Sequence, residues 1–161
     1  MIRRHLPDEA ATRRLAEVLA THQPKVAVVH LQGDLGAGKS TLARAWLRAL
    51  GVTGTVRSPT YTLVERYPVD GGEALHLDLY RIGDAGELDF LGLDDIDAAL
   101  WLVEWPERGA AALPPADLEI CLAIEGAGRA VELVPDGPAG HAWLAALLDD
   151  PRLSSLPEPK P

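Results

Sequence analysis

Eight consecutive residues, Gly33-Asp34-Leu35-Gly36-Ala37-Gly38-Lys39-Ser40, fit the spacing G-x-x-x-x-G-K-[ST] in full. The chemistry such a spacing serves is the capture of nucleotide phosphates. Gly33, Gly36 and Gly38 let the backbone bend so that successive N–H groups converge on one point. Lys39 supplies a full positive charge for the β- and γ-phosphates, and the Ser40 hydroxyl is of the kind that ligates Mg²⁺. Asp34, Leu35, Ala37 and Thr41 complete the loop and its exit.

Such a loop needs a strand before it and a helix after it. Val26-Ala27-Val28-Val29-His30-Leu31 is apolar and β-branched and reads as a buried strand. Ser40 to Leu50 is a run of good helix formers closed by Gly51. The helix start adds unpaired N–H groups and the positive end of its dipole.

Phosphate capture also needs a carboxylate at the end of a neighbouring strand to hold Mg²⁺. Asp78 and Glu104 are the candidates. Ala74 to Tyr80 alternates, with Leu75, Leu77 and Leu79 on one face and His76, Asp78 and Tyr80 on the other. Asp78 is thus either a site residue or part of a solvated polar face. Glu104 ends the apolar run Leu100-Trp101-Leu102-Val103, where open α/β sheets place ligands. It either serves the site, on metal or on water, or is a surface acid at a strand end. Hydroxyls of Ser58-Pro59-Thr60-Tyr61-Thr62 could meet phosphate or metal as a switch segment does, or merely lead into an edge strand. Trp105, after the same buried strand, reads as core or as a wall of the site.

The remaining elements follow from periodicity. Pro7 to His22 predicts a helix with Asp8 and Glu9 in its first turn. Thr60–Tyr67 and Ala74–Tyr80, joined across Asp70-Gly71-Gly72, predict an antiparallel hairpin inside an otherwise parallel sheet. Asp84 to Ala99 reads as mostly helical with a break near Gly92, Asp117–Ile124 and Arg129–Val134 as two further strands, and His141–Leu148 as a last helix. The expectation is one three-layer α/β domain of the P-loop NTPase class over residues 1–150, with a mostly parallel sheet. Pro151–Pro161 holds four prolines and is expected to be a disordered tail.

Composition narrows the function. The chain of 161 residues carries a net charge of −9 and three lysines, so it is a poor general binder of nucleic acid. The single cysteine, Cys121, excludes an intrachain disulfide and a CxxC zinc site. No stretch is long and apolar enough for a membrane span, and Met1-Ile2-Arg3-Arg4-His5 does not begin a signal peptide, so a cytoplasmic location is expected. The chain has no asparagine and therefore no Asn-Lys-x-Asp guanine signature, which makes adenine the expected base.

Gly33 to Leu42, Ser58-Pro59-Thr60-Tyr61-Thr62-Leu63-Val64-Glu65, His76-Leu77-Asp78-Leu79-Tyr80-Arg81, Glu87-Leu88 and Val103-Glu104-Trp105-Pro106, in that order, closely resemble the bacterial TsaE family from about Leu6 to about Val134. The resemblance implies a small Mg²⁺-dependent ATPase in biosynthesis of N6-threonylcarbamoyladenosine in tRNA. It implies a partner, the TsaB–TsaD heterodimer, whose turnover ATP hydrolysis supports and which, rather than this chain, holds the tRNA. By position, Lys39 and the loop hold phosphates, and Ser40 ligates Mg²⁺. Asp78 and Glu104 act around metal and water, Thr60 lies in the switch-like segment, and Trp105 belongs to the Glu-Trp signature. Base contacts fall on Asp8 or Glu9 and on Arg129. Many relatives have threonine where Ser40 stands, which keeps the hydroxyl. The proline-rich tail has no counterpart.

Two other readings use the same loop. A free-standing small-molecule kinase should carry an Arg-bearing lid, yet Asp84–Ala99 has no arginine. A nucleotide-dependent switch would use hydrolysis only to reset itself.

Overall fold

A computed structural model describes residues 1–161, the side chain of residue 110 apart. Seven strands form one sheet in the order β1-β7-β6-β2-β5-β4-β3. The strands are β1 (Ile2–Leu6), β2 (Ala27–Gln32), β3 (Val64–Val69), β4 (Gly72–Asp78), β5 (Ala98–Glu104), β6 (Leu118–Glu125) and β7 (Gly128–Pro135). The helices are α1 (Glu9–His22), α2 (Lys39–Ala49), α3 (Gly137–Leu148) and α4 (Pro151–Ser154).

Only the middle of the sheet is parallel, through β6–β2, β2–β5 and β5–β4. The expected hairpin is present as β3–β4. A second antiparallel set, β6–β7 and β7–β1, closes the other side, so the sheet is more mixed than its composition suggested. The strand β1 is absent from the sequence reading. Its five residues include two arginines and a histidine, and an edge position tolerates them because one side of the strand faces away from the sheet.

Alternation sorts the side chains. Ala27, Val29 and Leu31 of β2, Leu100 and Leu102 of β5, and Leu118, Ile120 and Leu122 of β6 join one core with all four helices. Within it Trp46 of α2 meets Trp143 of α3 edge-to-face, with ring centroids 5.8 Å apart. The opposite face carries a smaller core of Leu75, Leu77, Val103 and their neighbours. It is covered by 3-10 turns at Ala85–Leu91 and Leu93–Asp95, not by the longer helix expected there. Gly86 and Gly92 lie in that stretch and Asp84 caps its start, so the chain turns tightly without propagating a helix. The third layer is therefore partial.

The C-terminal segment corrects the expectation of disorder. Leu153 and Leu156 are buried in the main core. The His5 N–H donates to the Pro157 carbonyl at 2.7 Å, and the Lys160 N–H donates to Glu125 at 3.1 Å. Prolines suit this run because it lies along an edge strand, where most of its own N–H groups need no ladder partner. No helix among the described residues is long and apolar enough to cross a membrane.

Candidate functional site

Strands β2, β5 and β4 run parallel, so their C-terminal ends share one edge of the sheet. The chain leaves β2 directly into the glycine-rich loop and enters α2 at Lys39. Gly33 has φ +150°, and a Cβ there would lie 2.5 Å from the Leu122 carbonyl oxygen of β6. Only glycine lets the loop pass that close to the neighbouring strand. Gly38, at φ +104°, turns the chain into the helix and caps it without a side chain. The Ala37 N–H donates to the Asp34 carbonyl within the loop, and the first helical bond joins the Leu42 N–H to the Gly38 carbonyl, leaving the N–H groups between them for a ligand.

Asp78 and Glu104 are register partners on β4 and β5, on the helix-covered face. They are 7% and 3% exposed, which rules out a solvated polar face for either. The Ser40 hydroxyl lies 3.1 and 3.0 Å from the two carboxylate oxygens of Glu104. His76 Nε2 lies 2.6 Å from Glu104 Oε2. Asp78 accepts from the Tyr80 N–H at 3.0 Å, and Thr60 Oγ1 stands 3.5 Å from its other oxygen. Thr60 sits in a turn rather than in the predicted strand, which starts at Val64. The turn is tied to β4 by a bond from the Asp78 N–H to the Leu63 carbonyl.

Lys39 is buried. Its ammonium donates to the carbonyls of Gly33 and Asp34 and lies 3.9 Å from the Trp105 ring centroid. Burial pushes its pKa below the ordinary lysine value, against the opposing pull of Glu104, Asp78, Glu107 and Asp34. Trp105 itself has φ +56°, a left-handed conformation unusual for an aromatic residue. Its ring rests against Tyr80, with centroids 4.9 Å apart.

One cleft gathers most of the predicted residues. Leu35, Gly36, Ala37, Gly38, Lys39, Ser40 and Thr41 form its floor, and Thr60, Asp78, Glu104, Trp105 and Arg129 form its walls. Gly33 and Asp34 do not line this cleft; they line a neighbouring pocket with Trp105 and Glu107, and their carbonyls accept from Lys39. Arg129 reaches across from β7 and donates to the Gly36 carbonyl at 3.1 Å. Asp8 is not in this cleft. It caps α1 by accepting the Ala11 N–H at 2.9 Å. It also lines an adjoining pocket with Glu9 and Gly128, which shares Ala37, Gly38, Thr41 and Arg129 with the cleft.

Two residues missing from the sequence-derived site are Tyr80, a wall of the cleft, and His76. Both share the alternation that carries Asp78. The signal was present, but polarity on a strand does not tell a wet face from a buried one.

Together these features define a class: a mixed α/β domain in which a glycine-rich loop and a helix N-terminus face paired carboxylates at the sheet edge. The family model for the threonylcarbamoyl adenosine biosynthesis protein TsaE matches residues 6–131, and the chain belongs to that family. The tRNA threonylcarbamoyladenosine biosynthesis protein TsaE of Haemophilus influenzae is 40% identical over 149 residues, covering 88% of this chain and 94% of its own. The Bacillus subtilis protein of the same name is 36% identical over 118 residues, 72% of each chain. The crystal structure of Bacillus subtilis YdiB superposes with a TM-score of 0.76 at 25% identity, covering 91% of this chain and 93% of that one.

Proposed function

We propose that this chain is a Mg²⁺-dependent ATPase of the P-loop class that supports N6-threonylcarbamoyladenosine formation in tRNA through the TsaB–TsaD heterodimer. The observation that carries the reading is the convergence of Lys39, Ser40, Asp78 and Glu104 at the N-terminus of α2. A cation, a hydroxyl, two carboxylates and helix N–H groups make a donor set suited to a metal-bound triphosphate. The close approach of Gly33 to β6, which leaves no room for a Cβ, supports the reading by explaining why the first position of the pattern is glycine.

No cluster of three or more His, Cys, Asp or Glu side chains suited to a metal exists among the described residues. Mg²⁺ keeps several waters and takes few protein ligands beside the phosphates. Ser40 would hold it directly, with Asp78 and Glu104 as the acidic partners. Bound there, Mg²⁺ neutralises charge on the phosphate oxygens. Lys39 places its ammonium, already partly stripped of water, beside the same oxygens, where a charge acts more strongly than in bulk solvent. The carboxylates of Asp78 and Glu104 orient water, and Trp105 and Tyr80 keep bulk solvent from that wall. Asp8, Glu9 and Arg129 frame the adjoining pocket for the nucleoside. No arginine of this chain is assigned as a finger, so turnover by the chain alone is expected to be slow. An arginine supplied in trans raises such rates by about 10³–10⁵.

The test is ATP hydrolysis by the purified chain with and without TsaB–TsaD. Marked stimulation is expected. If the pair neither binds nor stimulates while a small metabolite becomes phosphorylated, the chain is a free-standing kinase and the proposal is wrong.

A further inference from the structure

His76 is a buried polar group with no part in the chemistry above. It lies on β4 between Ala74 and Asp78, opposite Leu102 on β5, and is 2% exposed. Packing alone would favour a leucine there, since burying a polar ring costs free energy unless its nitrogens are bonded. Only one is: Nε2 lies 2.6 Å from Glu104 Oε2, while Nδ1 is buried without a partner. A carboxylate can only accept, so in this contact Nε2 is the donor.

The same carboxylate is touched by Ser40 through both oxygens. The Ser40 contact cannot be its permanent anchor if the hydroxyl is to ligate a cation. His76 is then what remains to hold Glu104. We propose that His76 is a positioning residue for Glu104, fixing Oε2 so that Oε1 presents a set direction to water or metal. The inference rests on the reading that Glu104 takes part in ATP turnover. It is a relation between a ligand and the group behind it, of the kind whose loss costs about 10- to 100-fold in metal affinity or activity.

The experiment compares the full chain with its His76→Leu, His76→Gln, Glu104→Gln and His76→Leu/Glu104→Gln variants, each with TsaB–TsaD. Glutamine carries an amide nitrogen at nearly the position of Nε2. Expected for His76→Leu is a fall in kcat of about 10- to 100-fold with KM for ATP within about twofold. His76→Gln recovers most of that loss. The double variant is no slower than Glu104→Gln alone, because the histidine acts only through the glutamate. A His76→Leu variant with wild-type kcat, or a loss that multiplies with that of Glu104→Gln, overturns the inference. So does failure of His76→Gln to recover rate while it melts at the wild-type temperature. If the wild-type complex hydrolyses no ATP, the proposed function fails instead. The ¹⁵N shifts of the His76 ring then decide separately: a proton on Nε2 in a hydrogen bond is expected, and an Nε2 without a proton overturns the assignment.

Discussion

Lys39 shows how the site sets function against stability. Its pKa is lowered because burial disfavours the charged form more than the surrounding acids favour it. The unfolded chain therefore binds more protons than the folded one between the lowered value and the ordinary one near 10.4, and in that window stability rises with pH. Below it the buried charge is a standing cost. Lys39→Met is expected to melt at or above the wild-type temperature at pH 7, while turnover of ATP falls by about 10²-fold or more. A clear drop in melting temperature would show that the contacts to Gly33, Asp34 and Trp105 outweigh the desolvation. Asp78→Asn and Glu104→Gln keep size and hydrogen-bonding capacity, so Mg²⁺-dependent turnover should fall in both with melting shifted by only a few degrees, as a calorimetric scan would show. At this scale the loop was legible because the spacing from Gly33 to Ser40 is local, while Asp78 and Glu104 each kept a surface alternative that only their burial removes. The sequence did not name His76, whose role exists only because Glu104 stands beside it on another strand.

At the scale of elements, backbone clearance decides which positions tolerate change. Gly33→Ala would place a Cβ 2.5 Å from the Leu122 carbonyl oxygen at a φ of +150°, so either the loop or β6 must move. At Gly38 the nearest atoms lie 3.8 Å away on the Arg129 side chain, although φ is +104°. Alanine should therefore cost more at Gly33 than at Gly38, where about 1–3 kcal/mol of backbone strain is expected. Urea unfolding of the two variants checks the order, and equal midpoints would contradict it. Helices α1 and α2 and the hairpin β3–β4 were legible because amphipathic periods and turn residues are local signals. The 3-10 stretch over Ala85–Asp95 was misread as helical because acidic residues and leucines at helical spacing do not reveal where the chain must turn back over β4.

For the whole molecule the C-terminal segment matters most. Removal of residues 151–161 would expose the pockets filled by Leu153 and Leu156, about 3–6 kcal/mol of apolar burial. Chemical denaturation of the truncated chain should show a loss of that order, and an unchanged midpoint would make the segment dispensable. Asp150 starts this segment, and hydrogen bonds from Arg152 and then His22 hold its carboxyl well below the usual carboxylate range. A depressed acid contributes stability that is present above about pH 3.9 and is lost as pH falls toward the folded value. Asp150→Asn should thus lower the melting temperature at pH 7, and the gap should narrow steadily as pH falls below about 4. A gap undiminished at pH 2 would assign the effect to packing.

Some of this protein was written in short windows of its sequence. The loop, the helix it feeds and the hairpin are set by residues a few positions apart, and local rules of backbone and charge read them directly. Other features depend on long-range pairing. Whether the face holding His76 and Asp78 is wet or buried, whether the proline-rich end is loose or laid along β1, and how β7 brings Arg129 to Gly36 were decided by which strands lie side by side. Register across a sheet is a property of contacts many residues apart, and only the folded chain brings those residues together.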